Sequence, residues 1–257
     1  GPGKCYRLYT EAAWAAEMLQ DSVPELCRAN MGHVVLTLKA MGIDDILGFD
    51  FLDAPPPQAF VEAMASLHGL GALDDNGHMT QTGRRMAELP LPPMLSKMLL
   101  ASCDLECSAE MLIVTAVLAA GNVFYRPKDK QQQADARKAA FMHPDGDHLT
   151  YLTLYRSWEQ ARFAPSWCYT NYVNLRTMRQ AKDICGQLAE FMRRFKLPLV
   201  SSPKQLSLVR KAVCMGYFSH VAKKARDGYV TLSANRTVVY VHPSSGFFND
   251  PSAPNWV

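Results

Sequence analysis

Residues 108–120, SAEMLIVTAVLAA, are apolar on nearly every face of a helix. A helix without a polar stripe cannot lie on a surface and must be wrapped by other chain. It should therefore be a buried central helix. Ser108 stands where an N-cap belongs. The neighbours are present, since residues 93–195 read as helical throughout. They are interrupted in NVFYRPKDKQQQADARKAAF, where Pro127 ends a loop before a polar helix. The last helix of the group, over 171–196, carries Arg176, Arg179, Lys182, Arg193, Arg194 and Lys196 against Asp183 and Glu190 only.

Ahead of this bundle, MGHVVLTLKAM (31–41) repeats apolar residues at helical spacing, and Gly42 is placed to end that helix. Pro57 suits the first turn of the next one. Phe60, Met64, Leu67 and Leu70 or Gly71 form its apolar stripe. ALDDNGHMTQTGRRMAEL reads as a short strand, an Asp-Asn-Gly turn, a second short strand and a helix start. Helix, helix, small hairpin is the layout of a winged helix. At the front, KCYRLY (4–9) alternates like a strand with no partner of its own, which suggests a piece of a larger body. Near the end, GYVTLS and TVVYVH are strands rich in β-branched residues. Two strands make a poor domain, so this part reads as the beginning of a small β-barrel with a loop-like tail. The fold class is mostly α with small β parts.

Charge is unevenly spread. The chain is +3 overall, yet residues 171–257 hold 13 Lys+Arg against 4 Asp+Glu. Such asymmetry suits a C-terminal third that faces a polyanion. A solvated basic face is the other reading, and charge alone leaves both open.

Several classes fall away. No apolar, charge-free run approaches the roughly 18 residues of a membrane span. The seven cysteines form no CxxC and have no His pair near them, so they read as reduced, mostly core thiols with no metal site. Neither GxxxxGK[ST] nor GxGxxG occurs, nor HExxH, nor GxSxG. Asp147-His148 is the one candidate for a catalytic pair. Adjacent residues on a helix point about 100° apart and do not face each other. Asp147 therefore reads as an N-cap, and no catalytic residue is assigned.

Arg176, Arg179 and Lys182 step by three and share one side of their helix. Arg126 and Lys128 flank Pro127 in a loop, with reach enough for phosphate oxygens. Phe124, Tyr125, Trp167, Tyr169 and Tyr172 interleave with them. Aromatic faces among basic residues suit single-stranded nucleic acid, while Trp167 and Tyr172 also fit a core. The helix after Pro57 offers only His68 and Glu62 among its titratable residues, which argues against base reading in a DNA groove.

GKCYRLYTE, LKAMGIDDILGFDFLDAPP, TGRRMAELPLPPMLSKML, NVFYRPKDK, GDHLTYL, WCYTNYVNLRTMRQAKDI and VYVHPSS together resemble the C-terminal region of spliceosomal DEAH-box RNA helicases. The resemblance implies four parts: the tail of a second RecA-like domain (1–12), a winged helix (13–90), a ratchet-like helical bundle (91–200) and an OB-fold truncated at its end (201–257). It implies an accessory region of a nuclear, ATP-dependent helicase of pre-mRNA splicing. ATP and Mg would belong to RecA domains outside this stretch, with no cofactor here. The implied partners are single-stranded RNA, the RecA domains and spliceosomal proteins, some carrying a glycine-rich G-patch, and no membrane. Carried over by segment, the RNA-binding candidates are Arg126, Lys128, His148, Arg176, Arg179, Lys223, Lys224, Ser244 and Ser245. The apolar winged-helix face, with Phe60, Met64 and Leu67, is the candidate protein dock.

Overall fold

The computed structural model describes every residue except 20, 29, 234, 235 and 249. α1 (Glu11–Glu17) starts at Thr10, whose hydroxyl accepts from the Ala13 N–H. The strand expected over 4–9 does not form: among the described residues no strand lies beside it, and Tyr6 and Leu8 stand exposed. α2 (Glu25–Arg28) is a single turn.

α3 (Met31–Ala40) is capped by the Asn30 side chain on the Gly32 N–H. It ends before Gly42, whose φ of +87° costs glycine little. α4 (Pro57–Gly69) takes Pro57 at its first position. α5 (Gln81–Glu88) starts at Thr80, whose hydroxyl accepts from the Gly83 N–H. Between α4 and α5 the expected hairpin shrinks to one antiparallel bridge, Leu73 with Met79. The Asp74 carboxylate there accepts the N–H groups of Asn76 and His78, so a side chain organises the turn in place of a ladder. Val35, Leu36, Phe60, Leu67, Leu73 and Met86 close this first core. A Cβ on Gly83 would lie 2.2 Å from the Ala72 carbonyl oxygen, so α5 seats directly on the wing backbone.

The second body contains α6 (Pro93–Asp104), α7 (Ser108–Ala120), α8 (Gln131–Ala139), α9 (Asp147–Gln160), α10 (Pro165–Thr170), α11 (Leu175–Arg194) and α12 (Leu206–Tyr217). α7 is central as its composition requires, with Met111, Val114 and Val117 fully buried. Its N-cap is not Ser108. That hydroxyl is buried, donates to the Pro198 carbonyl at 2.7 Å and accepts from the Val200 N–H at 2.9 Å. It therefore ties the segment after α11 to the start of α7. Glu110, also fully buried, accepts from the Arg156 guanidinium of α9, the Ser201 hydroxyl and the Ser202 N–H. A separate core around Trp158, Tyr155, Cys168, Val173 and Met178 holds α9, α10 and α11 together.

α12 lies within the segment 201–257 expected to be OB-fold, yet Val209 and Ala212 complete the helical core. Gly216 makes the contact close: a Cβ there would stand 2.4 Å from the Met94 carbonyl oxygen on α6. α12 thus joins this last segment to the helical body by direct packing on α6.

The sheet is β1 (Ala222–Ala225), β2 (Gly228–Thr231) and β3 (Val238–Val239), antiparallel in that order. The tail expected to be loop-like adds a further edge. Ala222 and Val257 exchange backbone hydrogen bonds, Lys223 bridges Trp256, and the Tyr229 hydroxyl donates to the Pro254 carbonyl at 2.7 Å. Among the described residues no helix is long and apolar enough to cross a membrane.

Candidate nucleic-acid interface

Asn174 starts α11, its side chain accepting from the N–H groups of Arg176 and Thr177 at 3.0 and 3.3 Å. The chain just before it pairs with the loop after α7, through Asn174 N–H to Val123 and Tyr125 N–H to Tyr172. These bonds fix the first turn of α11 beside Tyr125. The result is a cleft of about 670 Å³ lined by Tyr125, Tyr169, Arg176, Arg179, Gln180 and Asp183. Both arginines are exposed, as are Tyr125 (39%) and Tyr169 (62%). Lys182 departs from its expected grouping. Its ammonium sits 3.9 Å over the Phe163 ring, outside the cleft. A step of three drifts by about 60° on a helix of 3.6 residues per turn, and two steps take Lys182 off the face.

Tyr125 also borders a second cleft, of about 540 Å³, between the helical body and the segment after β3. Arg126 and Ser244 meet here, with Asp135, Lys138 and His242. The Arg126 fork is engaged by Asp135 at 2.8 and 2.7 Å. The Arg126 hydrogen bond holds the Asp135 carboxyl below the usual carboxylate range. Lys138, one turn along α8, donates to the Ser244 carbonyl. The Ser244 hydroxyl pairs with His242 Nδ1 at 2.8 Å, and Ser245 Oγ accepts from the Phe247 N–H.

Asp147 is not the N-cap of α9. Gly146 takes that position at φ +115°, and Asp147 is the first helical residue. Its Oδ1 accepts from the Gly246 N–H at 2.8 Å, tying the segment after β3 to the helix. His148 is half-buried, with its ring 6.4 Å from Tyr217 of α12, and burial pushes its pKa down.

The remaining candidates scatter. Lys128 stands exposed in the turn before α8. Lys223 and Lys224 lie on β1 and turn toward the tail: one ammonium is 5.4 Å from the Trp256 ring, the other donates to the Ala253 carbonyl. The proposed dock is corrected. Phe60 (3%) and Leu67 (1%) are buried in the winged-helix core, so these two side chains serve folding, while Met64 is half-buried against it. An amphipathic stripe alone does not say whether its cover is the same chain or another. Sequence reasoning missed Lys138 and His242, which gather only because α8 and the segment after β3 meet in space. No group of three His, Cys, Asp or Glu that could hold a metal is present among the described residues.

Three family models match the chain in order. The winged-helix part of the helicase associated domain (HA2) matches residues 63–91, its ratchet-like part 92–151, and the oligonucleotide/oligosaccharide-binding (OB) fold 209–257. The chain is 46% identical over 258 aligned residues to the pre-mRNA-splicing factor ATP-dependent RNA helicase prp22 of Schizosaccharomyces pombe. That alignment covers 100% of this chain and 22% of the relative, so the chain spans about a fifth of that protein's length.

Proposed function

Since this chain belongs to the helicase-associated C-terminal region of the DEAH-box RNA helicases, we propose that it is the accessory region of an ATP-dependent helicase of pre-mRNA splicing, and that it grips single-stranded RNA beside the motor. ATP hydrolysis and its Mg are assigned to RecA-like domains of the whole protein, and the place of work to the nucleus. The observation that carries this reading is the shared cleft of Arg176, Arg179, Tyr125 and Tyr169. Guanidinium groups take backbone phosphates and open aromatic faces take bases without regard to sequence.

Fluorescence anisotropy of a labelled single-stranded RNA over a salt series tests it. Each phosphate contact adds about 0.7 to the log–log salt slope, so Arg176→Ala with Arg179→Ala should weaken binding and flatten the slope by about 1.4. Absence of binding at low salt, or binding indifferent to salt, counts against the grip.

Docking of a G-patch or other splicing factor is the second reading. Its support is the exposed Leu47, Phe49 and Leu52 between α3 and α4. A pull-down by G-patch peptide that survives Leu47→Asp with Leu52→Asp removes this surface from consideration.

A further inference from the structure

Arg126 reaches the second cleft with its hydrogen-bonding edge already occupied. Nε and Nη2 bind the two oxygens of Asp135 side by side. This planar fork is the one that a guanidinium also offers to a phosphate. Asp135 lies three residues before Lys138 on the same side of α8, so the carboxylate rests between two cations. Both partners of the pair are about half open to solvent, at 57% and 51%. Ion pairs so exposed exchange readily with other ions.

We infer that the Asp135 carboxylate holds the place of a backbone phosphate on Arg126 and sets, by competition, the affinity of this cleft for single-stranded RNA. The inference rests on the RNA reading above. When a phosphate displaces Asp135, the freed carboxylate gathers a cation from solution. That uptake cancels the counterion which the phosphate releases. Arg126 should then add almost nothing to the salt slope while Asp135 is present, and a full contact once it is gone. A carboxylate that merely props Arg126 in place predicts the opposite sign, because its loss would weaken binding.

The test is the affinity of a labelled oligouridylate across a salt series for the unaltered chain, Asp135→Asn, Asp135→Glu, Arg126→Ala and the double variant. Asp135→Asn should tighten binding about two- to five-fold, the range expected from freeing an exposed ion pair. It should also steepen the slope by about 0.7. Asp135→Glu should behave as the unaltered chain, and the gain should vanish with Arg126→Ala. Weaker or unchanged binding by Asp135→Asn overturns the competition, as does an equal gain without Arg126. A second arm needs no RNA: tripolyphosphate is titrated while the Arg126 Nε–H resonance is followed. Tighter binding in Asp135→Asn there, beside failure to bind RNA, would keep the competition and sink the RNA reading. An Arg126 signal indifferent to tripolyphosphate in both proteins sinks the competition itself.

Discussion

The Asp147 carboxylate accepts the Gly246 N–H at 2.8 Å, joining residues 99 apart in sequence. With Lys138 donating to the Ser244 carbonyl, it pins the segment after β3 against α8 and α9. Lys138, Asp147 and Ser244 all line the second cleft.

Asp147→Ala should cost about 1–2 kcal/mol, as expected for a part-buried hydrogen bond to a charged acceptor. Urea unfolding measures the loss. Amide exchange at Gly246 should quicken while that of α7 stays slow, and Asp147→Asn, which keeps an acceptor, should lose less.

Glu110 carries a pH dependence. Burial opposes its ionisation, but the hydrogen bonds from Ser201, Ser202 and Arg156 outweigh it and hold the carboxyl below its ordinary 4.5. A depressed folded pKa gives stability that is present above the unfolded value and lost as pH falls through the folded one. Denaturation at stepped pH should show this loss beginning below about 4.5, and Glu110→Gln should flatten it. At neutral pH, Glu110→Ala should cost about 3 kcal/mol, because Arg156 loses its partner at a half-buried site.

His148 works on a higher window. Burial, opposed by Asp147, lowers its pKa from 6.5. The unfolded chain then binds the extra proton first, so stability should fall as pH drops below 6.5 toward the folded value. His148→Leu should remove that slope in melting temperatures taken between about pH 7 and pH 5.

Gly216→Ala should destabilise by about 1–3 kcal/mol through overpacking. The added methyl meets the Met94 carbonyl and Met98 Cβ on α6, and backbone cannot swing aside. Chemical denaturation reads the change. Insensitivity would mean that α12 does not seat on α6 as described.

Phe60→Ala should cost about 3–5 kcal/mol, as for any large core aromatic. Near-native stability with lost partner binding would instead return Phe60 to a surface role.

Local patterns determined much of this protein. The nearly all-apolar stretch 108–120 required burial, Pro57 and Gly42 marked helix ends, and the segment wording pointed to the helicase region. Each is a property of a few consecutive residues. Burial partners were beyond reach, because they depend on which distant segment arrives. The Phe60 stripe needed a cover, and only the folded chain showed that the cover is its own core. Asp147 and Ser108 both read as caps, since a helix start asks for an acceptor. The tertiary structure gave Asp147 a partner 99 residues downstream, at Gly246, and Ser108 partners 90 and 92 residues downstream, at Pro198 and Val200. Hydrogen bonds between such distant residues depend on how α7, α9 and the segments beside them pack, and sequence spacing carries no record of that geometry.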